Sequence, residues 1–427
     1  MSKRTILLFV ALALGLGWAI RGHFGHEHGA AWAGAMGVTA LIIISKRHDW
    51  LKRLPTIAAI GGIGWGVGGM MSYGRIIGYT KGTEFGNVLY GLTMLAVVGG
   101  LYGMIGGGFT GLALESKQDK KPDWARLIVE MAVGGFIAWG WFIYQLEWFM
   151  TPPRSELWAA CLGGAIALLW FAYRNQYFNT IRVAAYSALG AGFGFAFGEF
   201  IQILGRISGT GFNWWNAMEF TLGFFGGLGM AYGVFTRDWD ESIEPSRTAN
   251  WLGIATLLLI IPATNIIQAF EKEGFLEVAN QIGTMNPGQF ATNQVLYGWA
   301  TLVLFLILGV YLWKRFQSAE YLSRIQTAAA LFFVLSGFYI VLGNLRKSLI
   351  QVSGQLEQYL YWIIFLILLL IWYFSRNHES PELKFSETAE SGKRWVILFG
   401  GLIGIIILLT LIAINIHDGL PGSHTRF

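Results

Sequence analysis

Apolar residues in this chain gather into long uninterrupted windows, and the charged residues sit in short clusters between them. Thirteen such windows are legible, at 5–21, 29–45, 56–74, 87–114, 127–149, 157–173, 183–204, 215–236, 250–270, 295–313, 327–345, 357–375 and 395–416. Crossing a hydrocarbon core of about 30 Å takes about 20 apolar residues in a helix. Backbone groups find no water in lipid, so a spanning segment must be a helix or a strand of a closed barrel. Barrel strands read as about ten alternating residues, and these windows are longer and continuous. The expected fold is an all-α polytopic membrane protein of about 13 transmembrane helices. The first window follows Lys3 and Arg4 but has no small-residue cleavage site directly after it, so a retained first helix is expected rather than a signal peptide.

The intervening charges predict an orientation. With the N-terminus in the cytoplasm, segments 3–4, 46–53, 117–126, 174–182, 237–247, 314–324 and 376–394 face inward and hold 21 of the 30 Lys and Arg residues. That asymmetry is the one expected of cytoplasmic loops, and it points to a bacterial inner membrane with the C-terminus outside. The net charge of +5 is then a topology signal and not a nucleic-acid footprint.

Composition sharpens the class. Of 427 residues, 54% are apolar and only 13% charged, against about 25% charged in a soluble domain. A soluble fold, a disordered chain and a DNA-binding domain are excluded. The single cysteine, Cys161, allows no disulfide within the chain.

Glycine divides the chain further. Residues 1–248 hold 42 of the 57 glycines, many at four-residue spacing: Gly99, Gly103, Gly107 and Gly111, then Gly190, Gly194 and Gly198. Small residues at that spacing form smooth stripes that let helix backbones approach closely, so the third, fourth, seventh and eighth windows should pack as a tight centre. Several motifs also recur in order. Gly17-Trp18 returns as Gly140-Trp141, and Gly64-Trp65-Gly66-Val67-Gly68 as Gly194-Phe195-Ala196-Phe197-Gly198. Gly74-Arg75-Ile76-Ile77-Gly78 returns as Gly205-Arg206-Ile207-Ser208-Gly209, and the Gly99–Met104 segment as Gly226–Met230. The expected organisation is two parallel four-helix repeats, at 1–116 and 117–240, followed by a five-helix C-terminal module at 241–427. Parallel repeats about an axis along the membrane normal occur among transporters.

Ionisable residues in or beside spans are expensive to bury without a partner, which makes them informative. They form three groups at helix ends on the outer side: Arg21, His23, His26, Glu27 and His28; Arg75, Lys81 and Glu84; and Glu199, Arg206 and Glu219. Two readings remain open. Each cation could pair with a local carboxylate, Arg21 with Glu27, Lys81 with Glu84, and Arg206 with Glu199 or Glu219. Alternatively Arg75 and Arg206, at equivalent repeat positions and flanked by glycines, recognise an anion through the guanidinium fork. In that reading Arg21, Glu27, His26, Glu199 and Glu219 line the site, and Trp215 and Tyr79 offer aromatic faces suited to a sugar-like solute. Zinc would accept His23, His26 and His28, but the HxxHxH spacing matches no established signature, so no metal and no cofactor is assigned. Pro262, with Thr264, Asn265 and Gln268, interrupts the ninth helix, and outer loop 271–294 has room for a short helix.

Walker A, GxSxG, CxxC and HExxH patterns do not occur. The function expected first is a secondary transporter or facilitator for a small polar, anionic organic solute bound between the repeats, with the bilayer as its other partner and no nucleic acid. The alternatives are a transferase or hydrolase acting at the outer leaflet through His26 and Glu27, and a non-catalytic scaffold subunit. Homo-oligomerisation stays open.

Overall fold

The structure, a computed structural model, describes residues 2–347, 356–377 and 392–427. Among these residues every regular element is a helix. In order they are α1 (Lys3–Arg21), α2 (His26–Ser45), α3 (His48–Lys52), α4 (Leu54–Gly69), α5 (Gly74–Thr80), α6 (Phe85–Leu114), α7 (Trp124–Trp139), α8 (Leu157–Arg174), α9 (Phe178–Ile207) and α10 (Trp214–Phe235). The remainder are α11 (Arg247–Ala255), α12 (Ile261–Ala269), α13 (Lys272–Gln281), α14 (Pro287–Ser318), α15 (Tyr321–Arg346), α16 (Leu356–Ser375) and α17 (Gly392–Ala413). Wider π-helical turns prolong α7 over Gly140–Gln145 and link α11 to α12 over Thr256–Ile260, just ahead of Pro262.

All thirteen apolar windows fall on helices. Eleven helices are long and apolar enough to cross a membrane, and α4 with α5 makes a twelfth if the pair, bent by 59°, is one span. Helix α10 contains Glu219 and is not among them, although it lies at the heart of the bundle. Helix starts are written locally. The side chains of Ser2, Asp123, Ser246 and Asn286 accept from backbone N–H groups three residues on, satisfying donors that a helix leaves open. The loop at 271–294 carries α13.

Six helices close a ring in the order α1, α2, α4, α6, α9, α10 and back to α1. Glycine makes this possible. A Cβ on Gly103 of α6 would stand 2.2 Å from the Ser187 carbonyl oxygen of α9, and one on Gly190 of α9 would stand 2.1 Å from that of Phe225 on α10. Gly223 of α10 abuts Trp18 of α1, Gly17 of α1 abuts Ala33 of α2, Gly34 of α2 abuts Trp65 of α4, and Gly64 of α4 abuts Phe109 of α6. The four helices predicted to form the centre are all in this ring, which also takes in α1 and α2.

Aromatic side chains fill the ring. Trp65 reaches from α4 to within contact of both Gly106 on α6 and Gly226 on α10. Trp18 stands edge-on to Trp65 at 5.9 Å and 5.2 Å from Tyr102. The remaining helices surround this core. The α7–α8 hairpin lies at the periphery with much of its apolar surface exposed. Helices α11, α12, α15 and α16 lie against α1, α2 and α4, α14 lies against α15 and α13 against α14, while α17 lies against α6 and α9.

Candidate functional site

At one end of the ring, where α1 ends and α4 breaks into α5, the chain buries an arginine. Arg21 is 1% exposed and all five of its N–H donors have a partner. Nε donates to the His26 carbonyl at 3.2 Å, and Nη1 to the Tyr73 hydroxyl at 2.8 Å and Glu219 Oε1 at 3.0 Å. Nη2 faces His26 Nδ1 at 2.9 Å and donates to the Gly69 carbonyl at 3.2 Å. Glu219 Oε1 also accepts from the Tyr73 hydroxyl and from Trp215 Nε1 at 3.0 Å. Its second oxygen is buried without a hydrogen-bond partner and faces Gly22. Below, the guanidinium lies 4.8 Å from the Trp18 ring, and the indole N–H groups of Trp18 and Trp65 meet no acceptor.

The local backbone explains who joins this cluster. Gly25, at φ +80°, starts α2 in a conformation that L side chains rarely adopt. Successive residues of a helix then point about 100° apart. His26, itself exposed, meets Arg21, the Glu27 side chain is 43% exposed, and His28 turns to Gln268 of α12 at 2.8 Å. The expected Arg21–Glu27 pair is therefore corrected to Arg21–Glu219. Glu27 lies 3.5 Å from His28 and makes no hydrogen bond to His26 among the described residues. His23 goes a third way, to the Tyr361 hydroxyl at 3.2 Å. Burial, aided by the charges of Lys347 and Arg346, pushes its imidazole down to about 3, so it is neutral. With three rings on three different partners, the histidines form no ligand set, and no metal-binding group occurs among the described residues.

A second cluster lies at the same end. Glu199 of α9 is fully buried; Oε1 accepts from the Thr80 hydroxyl at 2.6 Å, and Oε2 has no partner. Gln202, one turn on, is equally buried with both amide atoms unpartnered. Lys81, Arg75, Arg206 and His424 gather above. Burial lowers the Lys81 ammonium, with Arg206 adding to the effect and Glu199 opposing it. Burial, then the charges of Arg75 and Lys81, lower the His424 imidazole. None of Arg75, Lys81 and Arg206 forms an ion pair among the described residues, so the expected local pairings of Lys81 with Glu84 and of Arg206 with a carboxylate are not made. Arg206 is exposed, while Arg75 is half-buried with Nε unpartnered and Tyr79 beside it at 6.0 Å. The C-terminal tail covers this cluster: His424 N–H donates to the Gly78 carbonyl at 2.9 Å, and Leu420 N–H to the Lys81 carbonyl at 2.9 Å.

The predicted site residues thus divide. Arg21, His26, Glu219 and Trp215 meet in one cluster; Arg75, Tyr79, Glu199 and Arg206 lie in the other; Glu27 joins neither. Sequence reasoning missed Gln202 and Tyr361. Gln202 had a signal, since it shares a helix face with Glu199 at the i+3 position. Tyr361 had none: it crosses from α16 to donate to the Ala19 carbonyl at 3.1 Å and accept from Asn216.

Compared with family models, with curated proteins and with solved structures, the chain matches none.

Proposed function

We propose that this integral membrane protein is a secondary transporter or facilitator for a small polar, anionic organic solute, with sugar acids and sugar phosphates within the class. The observation that carries the reading is the Arg21–Tyr73–Glu219 cluster, wholly buried at the mouth of a closed helical ring whose interior holds unpartnered indole donors. Charged side chains within apolar bundles are expensive, and where they face an interior they mark solute and ion pathways. In this reading the ring is seen shut, with Trp18 and Trp65 filling it and Arg21 fastened to Glu219.

Arg75, Lys81 and Arg206 form the receiving rim. Cations with no carboxylate of their own attract an anion, and an arginine fork binds carboxylate or phosphate through two parallel hydrogen bonds. Coupling to a proton or cation runs through Glu199, Glu219 or His26, of which Glu199 and Glu219 each keep a buried oxygen unpartnered. The reading includes about 13 crossings in two parallel four-helix repeats, residues 1–116 and 117–240, with a C-terminal module at 241–427. It also places the N-terminus in the cytoplasm of a bacterial inner membrane.

Uptake into proteoliposomes of a panel of radiolabelled carboxylates and sugar phosphates tests it. A hydrogen bond to a charged group contributes about 1.5–3 kcal/mol, so Arg75→Ala and Arg206→Ala should each lower uptake by roughly 10- to 100-fold. Unchanged uptake in both variants sinks the assignment of the rim.

A further inference from the structure

The opposite end of the molecule carries a cleft of about 330 Å³ whose walls are basic and aromatic. Lys52 from the end of α3, Arg247 and Asn250 from the start of α11, Trp313 and Phe316 from the last turns of α14, and Arg324 from the start of α15 converge on it. Among the described residues no carboxylate lines the cleft.

Arg47 is held by Asp49 and by the carbonyls of Trp239 and Asp240, Arg53 by Ser242 and the Ala113 carbonyl, and Lys117 by Asp240. Lys52, Arg247 and Arg324 make no ion pair among the described residues, and Arg324 Nε donates to the Phe316 carbonyl at 3.4 Å. Trp313 in the wall is 2% exposed, and its buried indole N–H has no acceptor among the described residues. Asn250 is fixed by bonds to the Lys52 carbonyl and the Thr56 hydroxyl, both 2.8 Å, so the wall is preorganised.

The surroundings identify the occupant. From the cleft, exposed apolar side chains continue along α11, with Trp251 and Leu252, and along α14, with Ile307, Leu308 and Tyr311. Basic pockets between membrane helices at the charged interface suit anionic lipid headgroups, and apolar faces leading away from them suit acyl chains. We propose that this cleft binds the phosphate headgroup of an anionic phospholipid, clasped by Lys52, Arg247 and Arg324, with its chains lying on α11 and α14. The proposal is independent of what the ring conducts.

Native mass spectrometry of the full chain in detergent, titrated with dioleoyl phosphatidylglycerol, tests it. Interfacial cations contribute about 1 kcal/mol each to anionic lipid binding, so loss of two should weaken binding about 30-fold at about 1.4 kcal/mol per tenfold. The double variant Arg247→Gln/Arg324→Gln should show that loss. The charge-matched control Arg4→Gln/Lys121→Gln, at exposed positions elsewhere, should bind as the wild type does. Phosphatidylcholine should not compete, because its headgroup has no net charge. If the double variant does not fold, exposed Arg247→Gln alone should still weaken binding about fivefold by the same arithmetic. Equal binding by variant and wild type overturns the site. Inorganic phosphate displacing the lipid at equal concentration overturns the lipid as its source.

Discussion

Arg21 and Glu219 are 198 positions apart in sequence and 3.0 Å apart in space, each about 1% exposed. The guanidinium is saturated, whereas the carboxylate crowds three donors onto one oxygen and leaves the other bare. Removing one member of a buried ion pair strands the other charge and costs about 3–5 kcal/mol, while replacing both with apolar groups of similar size is close to neutral. Arg21→Met and Glu219→Met should each lower the thermal midpoint in detergent sharply. The double variant should be more stable than either single variant. Additive losses in this cycle would mean that the two charges are not coupled. This pair could not be read from local spacing, which offered Glu27 six residues away. Gly25, at positive φ, starts α2, and from that start His26 meets Arg21 while Glu27 meets His28.

Helix packing was far more legible than side-chain partnership. A Cβ every fourth residue either exists or does not, and the stripes at Gly99 to Gly111 and Gly190 to Gly198 do bring backbones into contact. What the stripes could not reveal was that α1 and α2 also belong to the ring, because there single glycines do the work: Gly17, Gly34 and Gly37 each face a different neighbour. Spacing along α6 now separates positions that look alike in sequence. On Gly103 an added methyl meets backbone atoms of α9 at 2.2 and 2.5 Å, which cannot move without separating the helices, whereas on Gly100 the nearest atom is 3.7 Å away. Overpacking a tight interface costs about 1–3 kcal/mol. Gly103→Ala should therefore destabilise the protein by that amount in thermal melts, and Gly100→Ala should leave the midpoint unchanged. Equal behaviour of the two would show that α6 and α9 do not meet along this face.

At the scale of the whole molecule, the two ends differ in chemistry. One end holds the Arg21 cluster, the Arg75–Lys81–Arg206 rim and the tail, where Arg426 N–H donates to Asn87 and its side chain to the Phe149 carbonyl. The other holds most of the basic loops and the Lys52–Arg247–Arg324 cleft. Helix α1 begins at this second end and the tail finishes at the first. The proposed orientation, with the second end cytoplasmic, rests on the positive-inside bias, and it decides from which side an anion would reach the rim. Single cysteines can test this directly. The native Cys161 is 4% exposed, and Cys161→Ala removes any background. Thr425→Cys on the tail and Lys121→Cys between α6 and α7 are both at exposed positions. With a membrane-impermeant maleimide added to intact cells, Thr425→Cys should label at once and Lys121→Cys only after permeabilisation. The reverse pattern would turn the molecule over and make the rim cytoplasmic. Labelling of both from outside would break the thirteen-crossing scheme.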